Sequence, residues 1–389
     1  MKKITKLMLA TVLAIGVLVC VPQAKLVHLS SASEGDYTAK SVLLMDSTSG
    51  NVLYEKDKDK QLPIASMVKL MTILLTLENI DAGSLAFDQK IVASKNASGM
   101  GGSQVFIDAN AEYTVGDLLK SAIVASANDA SVALAEAIAG SEREFVERMN
   151  KRALELGMKN TSYGNATGLP AVNAYSSAYD VALLMREVLK HPLYYTFSGI
   201  WLDELTHPSG RKTELANTNK LIRYYKGCDA GKTGSTNEAG FCVSASAKKN
   251  DLRMIAVVMG AKTGPVRFSE AASLLDYGFA NFENKKILSA GVDLGVEAKI
   301  AKAQISSIKP IVAADCFSLC KKMEDSEVGI KYEVNNNLSA PLKKGDKVGT
   351  AYILKNGVVE KEVDLICPID IEKATLTDSF LKIIRNFRI

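Results

Sequence analysis

Leu62-Pro63-Ile64-Ala65-Ser66-Met67-Val68-Lys69 runs straight into Leu70-Met71-Thr72-Ile73-Leu74-Leu75-Thr76-Leu77, an almost wholly apolar stretch. Residues 63–78 therefore read as a buried helix with Ser66 in its first turn. Positions three apart share a helix face, which sets Lys69 over Ser66. A serine hydroxyl is a poor nucleophile until a base takes its proton. A lysine amine can be that base if burial in an apolar wall, or a second cation nearby, favours its neutral form. The helix N-terminus adds N–H donors that favour negative charge developing near Ser66.

Ser-x-x-Lys recurs with serines 209, 246, 306, 318 and 379, but only the match at Ser66 opens an apolar helix. At the others a capping serine beside a surface lysine is sufficient explanation. Two further motifs stand downstream. Ser126-Ala127-Asn128 lies between helical stretches 114–123 and 130–139. Its hydroxyl can relay a proton, and the Asn128 amide can hold a substrate carbonyl or orient Lys69. The plainer reading is a helix cap, and Ser94-Lys95-Asn96 repeats the pattern. Lys232-Thr233-Gly234 opens a β-prone segment. Lys232 and Thr233 can bind an anionic group, and Gly234 lets a substrate backbone approach. Lys262-Thr263-Gly264 repeats these letters but follows the exit of the other strand of a hairpin.

The chain has 389 residues, 47% hydrophobic and 23% charged, which suits two globular domains. Lys2, Lys3 and Lys6 precede an apolar run at 7–21, too short to span a bilayer. Residues 1–33 read as a secretory signal. They hold four lysines and no acid, so the net charge of +4 belongs to them and the remainder is neutral. Nothing in that balance calls for nucleic acid. Five cysteines follow the signal: Cys228, Cys242, Cys316, Cys320 and Cys367. An odd number leaves one unpaired within a monomer. Cys228 and Cys242 flank one motif and can pair, though small buried thiols are the simpler reading. His191 and His207 each precede proline, which argues against a Ser-His-Asp triad and against a zinc site. No metal and no organic cofactor is implied.

Residues 41–45 and 51–54 read as a hairpin around Ser47-Thr48-Ser49-Gly50. Amphipathic helices are expected at 145–156 and 178–189, a second hairpin at 241–247 and 254–259, and a closing helix at 268–282. Strands at both ends with helices between imply one sheet built from the two ends of the domain and covered by helices. The fold class is α+β. Beyond residue 284, short alternating stretches and the turns Gly345-Asp346 and Asn356-Gly357 indicate a small, mostly β domain without a catalytic cluster. The expected boundaries are signal 1–33, catalytic domain 34–284, β-rich domain 285–372 and an amphipathic tail 373–389.

The order Ser-x-x-Lys, Ser-x-Asn, Lys-Thr-Gly, at steps of 60 and 106 residues, is the motif set of penicillin-binding proteins and class A β-lactamases. The chain resembles the low-molecular-mass penicillin-binding proteins, serine-type D-alanyl-D-alanine carboxypeptidases, over nearly its whole length. The resemblance implies a transpeptidase-like domain of antiparallel sheet plus helical cluster. It implies acyl transfer in which Ser66 attacks the carbonyl between two D-alanines of a peptidoglycan stem peptide and Lys69 takes its proton. The Ser66 and Ser235 N–H groups hold the oxyanion. Ser126 and Lys232 pass a proton to the departing D-alanine, whose carboxylate Thr233 and Ser235 bind. β-Lactams are implied as covalent inhibitors. Gly264-Pro265 departs from the family pattern, and no role passes to Arg267.

Three other readings compete: a serine β-lactamase, a D,D-endopeptidase, and a non-catalytic wall-binding protein. Class A β-lactamases deacylate with a glutamate in a loop between the second and third motifs, and residues 161–170 contain neither Glu nor Asp. Retention of every motif residue argues against the non-catalytic reading. In the tail, Leu376, Phe380, Ile383, Ile384 and Phe387 share about 100° of helical arc, opposite Lys382, Arg385 and Arg388. Such a segment can lie in a membrane interface, placing the protein on the outer face of the cytoplasmic membrane.

Overall fold

The computed structural model describes residues 37–324 and 327–378. The expected signal, residues 1–33, and most of the expected tail helix lie outside them.

The first domain is built on a five-stranded antiparallel sheet. Its strands are β1 (Ser41–Asp46), β2 (Val52–Lys56), β3 (Cys228–Thr236), β4 (Gly240–Lys249) and β5 (Leu252–Ala261), in the order β2-β1-β5-β4-β3. The two hairpins read from the sequence are thus joined through β1 and β5. Successive side chains of a strand face opposite ways, and each face here meets a separate core. Leu43, Met45, Ile255 and Val257 pack into one core with the helical cluster. Val42, Leu44, Ala256 and Val258 pack into the other, with the closing helix. Burial on both faces explains why β1 reads as a continuous apolar run rather than an alternating one.

The helical cluster comprises α1 (Lys69–Asp81), α2 (Val115–Val124), α3 (Asn128–Ala139), α4 (Glu142–Glu155) and α5 (Ala178–Val188); α6 (Gly264–Asn281) closes the domain. Thr114, Ser141 and Ser177 cap α2, α4 and α5 by accepting the amide three residues on. The same chemistry accounts for both motif repeats. Ser94 caps a short helix through the Ala97 amide. Thr263 caps α6, with Pro265 in its first turn, so the closing helix begins four residues before the expected start.

The helix expected over 63–78 is corrected at its start. Ala65–Val68 is one turn of 3-10 helix, and α-helix begins only at Lys69. The hairpin of Leu202–Thr206 with Lys212–Ala216 was not anticipated. The five described cysteines are free and buried, so Cys228 and Cys242 are not bonded.

From Phe282 the regular structure among the described residues is almost all strand. Phe282–Leu288 pairs with Cys316–Lys321, and a four-stranded sheet runs Ile311–Val312, Val358–Ile366, Lys347–Lys355, Val328–Val334. Among the described residues no helix is long and apolar enough to cross a membrane.

Candidate active site

The 3-10 turn matters to the chemistry. At three residues per turn, positions i and i+3 eclipse, so Lys69 stands directly over Ser66. The Lys69 ammonium Nζ donates to Ser66 Oγ at 3.1 Å and to the Thr167 carbonyl at 2.6 Å. Lys69 is fully buried. Burial first, and the charge of Lys232 second, hold its amine well below the ordinary lysine range; Asp129 opposes the shift.

Ser126 ends the turn after α2, and Asn128 opens α3. Lys232 lies in mid-β3 and is also buried. Its Nζ donates to Ser126 Oγ at 2.6 Å and to the Thr233 carbonyl at 3.1 Å. Burial, then Arg267, bring Lys232 down to about 7. Arg267 Nη1 donates to the Gly234 and Cys242 carbonyls at 3.1 and 3.2 Å, which puts a guanidinium behind the Lys-Thr-Gly strand. One lysine–serine pair thus lies within the first motif, and the other joins the second motif to the third.

Gly234 is required by proximity. A Cβ there would lie 2.3 Å from the Ile64 carbonyl oxygen and 3.0 Å from the Ser66 nitrogen. Strand β3 therefore abuts the turn that carries Ser66. Ser235, the next residue, is exposed. Thr233 Oγ1 donates to Thr218 Oγ1 at 2.8 Å. The serines share one further feature. Ser126 itself has φ of 59°, and Ala65, immediately before Ser66, has φ of 47°. Left-handed backbone at non-glycine residues costs on the order of 1–3 kcal/mol and persists only where its surroundings enforce it.

Several residues that shape the site carry no motif. Asn165 Oδ1 accepts from the Thr167 and Gly168 amides at 3.1 and 2.6 Å, fixing the loop that offers the Thr167 carbonyl to Lys69. Thr72, one helical turn beyond Lys69, donates to the Ala166 carbonyl at 2.7 Å. Asp129, fully buried, accepts from the Val105 and Ile107 amides. Beside it the motif residue Asn128 donates through Nδ2 to the Gly101 carbonyl at 2.6 Å, while its Oδ1 is buried without a protein partner. Among these, only Asp129 stood beside a motif in the sequence; Asn165 and Thr167 had no signal but a Gly/Asn-rich loop.

The fold and the paired lysines and serines define a serine D,D-peptidase of the penicillin-binding class. Residues 28–263 match the Peptidase S11 family, D-alanyl-D-alanine carboxypeptidase, and residues 282–373 match the penicillin-binding protein 5 C-terminal domain. The chain is 41% identical to the D-alanyl-D-alanine carboxypeptidase DacF of Bacillus subtilis (strain 168), over 90% of each chain. It is 35% identical to DacA of Haemophilus influenzae, over 80% of each. Penicillin-binding protein 5 of Haemophilus influenzae superimposes with a TM-score of 0.70 at 32% identity, over 88% of this chain and all of that one. The chain belongs to the Peptidase S11 family of D-alanyl-D-alanine carboxypeptidases, and it is an enzyme of that serine-dependent activity.

Proposed function

We propose that the chain removes the terminal D-alanine of peptidoglycan pentapeptide stems through an acyl-enzyme on Ser66. The observation that carries this is the fully buried Lys69 amine 3.1 Å from Ser66 Oγ. When Lys69 is neutral the contact reverses: the hydroxyl donates to the nitrogen lone pair, and Nζ still has protons for the Thr167 carbonyl. Ser66 Oγ attacks the carbonyl between the two D-alanines as Lys69 takes its proton. The Ser66 and Ser235 amides hold the oxyanion; such donors are worth about 2.7–4 kcal/mol each in other enzymes. Lys232, through Ser126, supplies a proton to the departing amine. Thr233 and Ser235 bind the carboxylate of the leaving residue. Asn128 Oδ1, lacking a protein partner, accepts a substrate amide. Water then frees the acyl group.

The test is labelling with fluorescent penicillin alongside release of D-alanine. Wild type should show both, and Ser66→Ala neither. Rapid penicillin turnover without peptide cleavage would mean a β-lactamase. Against that reading, the loop at Lys69 presents a carbonyl, and two carboxylates that reach the loop are engaged there, Glu142 Oε1 by the Ala166 amide at 3.0 Å and Asp180 Oδ2 by Thr161 Oγ1 at 2.7 Å. Digestion of cross-linked sacculi separates carboxypeptidase from endopeptidase: dimeric muropeptides should persist while pentapeptides disappear.

For the whole chain we propose a secreted enzyme: signal 1–33, catalytic domain 34–284, β-rich domain 285–372, and a tail from 373 lying in the membrane interface. Reciprocal bonds at the tail's start support a helix there: the Asp378 amide donates to Thr375 Oγ1 at 3.1 Å, and the Thr375 amide to Asp378 Oδ2 at 2.9 Å. A chain ending at Ile371 should keep carboxypeptidase activity and leave the membrane fraction. A truncated enzyme that still sediments with membrane contradicts the anchor.

A further inference from the structure

One exposed aromatic on the loop beside Asn128 has an arrangement that folding alone does not explain. Phe106 is 59% exposed and sits at φ of 60°. Its neighbours Val105 and Ile107 are buried. Both of their amides bind the buried Asp129 carboxylate, at 3.1–3.2 Å. The Phe106 carbonyl accepts from Arg211 Nη2 at 2.5 Å, and the same nitrogen donates to Asp108 Oδ1 at 3.0 Å. Two charged side chains thus hold a costly left-handed residue, and the phenyl ring they present is left in water. A glycine would satisfy that backbone without strain, so the ring itself is the feature retained.

The loop is tied to the reaction centre. The Asn128 amide donates to the Ser103 carbonyl at 2.7 Å and its Nδ2 to Gly101. Phe106 lies three residues further on, at most about 10 Å along the chain. A stem peptide entering the site has, one residue before its two D-alanines, a diamino acid with a long methylene side chain. One residue of extended peptide plus such a side chain reaches a comparable distance.

We propose that Phe106 is a specificity-determining residue that packs on the aliphatic side chain preceding the D-alanyl-D-alanine of the stem. The proposal rests on the carboxypeptidase reading above. The test compares kcat/KM of the full chain on diacetyl-L-lysyl-D-alanyl-D-alanine and on acetyl-D-alanyl-D-alanine, which lacks that side chain. In Phe106→Gly the first value should fall about tenfold, the size expected for losing an aromatic–aliphatic contact. The second should change less than about twofold, since the chemistry is untouched. The thermal midpoint should hold or rise, because glycine relieves the left-handed strain. Phe106→Leu should retain part of the preference. Equal loss on both substrates, or no loss on either, overturns the proposal. A wild type inactive on both would instead fail the carboxypeptidase reading itself.

Discussion

Ser66 and Lys69 owe their relation to one tightened helical turn, and Ser126 and Lys232 owe theirs to a strand laid against the α2–α3 corner. The two lysines are depressed for the same leading reason, burial, yet the mechanism asks opposite things of them. Lys69 must be neutral to accept a proton; Lys232 must be protonated to give one. The sign follows directly. As pH falls through the depressed Lys69 value the base is lost, and as pH rises through about 7 the Lys232 proton is lost. A bell-shaped kcat/KM is expected. Lys69→Ala should lower the acylation rate by about 10²–10⁴ or more with the fold intact, the usual worth of a positioned base. Lys232→Arg keeps a charge that does not titrate and so cannot give up a proton; the rate should fall, and in the activity that remains the alkaline limb should vanish while the acid limb stays. An unchanged alkaline limb in that variant would assign it to another group.

Elements bring the two pairs together, and β3 presses closely on the Ser66 turn. Gly234→Ala would drive a methyl into the Ile64 carbonyl at 2.3 Å, backbone that cannot swing away. The strand must shift, and a misplacement of about 1 Å can cost 10² in rate. Acylation should drop by about two orders of magnitude. Gly264 of the repeated Lys-Thr-Gly supplies the control. Its added Cβ meets only the Phe241 ring, at 3.7 Å, so Gly264→Ala should acylate normally. The same contrast shows what was legible in the sequence. Order and setting favour Lys232 over Lys262 and Ser126 over Ser94, and the structure makes Thr263 and Ser94 helix caps. The apolar period likewise gave α2 to α5 within a few residues. The 3-10 turn was not legible, because i,i+3 geometry follows from what packs around residues 63–68. Nor was Thr167, whose contribution is a main-chain carbonyl that any residue could supply. The hairpin at 202–216 was hidden by its polar alternation: of its strand residues, only Leu205 and Leu215 are buried.

At the scale of the whole molecule, the site is a polar cluster set into a core, and it burdens the fold. Lys232 is fully buried, with its value near 7 against an ordinary 10.5. In the unfolded chain the amine stays protonated up to about 10.5, as a free lysine does. Between pH 7 and 10.5 folding therefore releases a proton. Because the unfolded state binds more protons there, stability rises with pH across that window, by about 1.4 kcal/mol per pH unit from this residue. Lys69 is shifted the same way. Below pH 7 the full burden of carrying Lys232 is present. Replacing it with methionine, similar in volume and uncharged, removes that burden at every pH. Relative to Lys232→Met, wild type should be at its greatest disadvantage in denaturant near pH 6–7. The gap should narrow by roughly 2–3 kcal/mol on going from pH 7 to 9. Denaturant titrations of both proteins at pH 7, 8 and 9 measure it. A gap that stays constant would mean that Lys232 keeps its proton in the folded protein up to the ordinary lysine range, and with it would go the alkaline limb assigned to Lys232 in the rate profile.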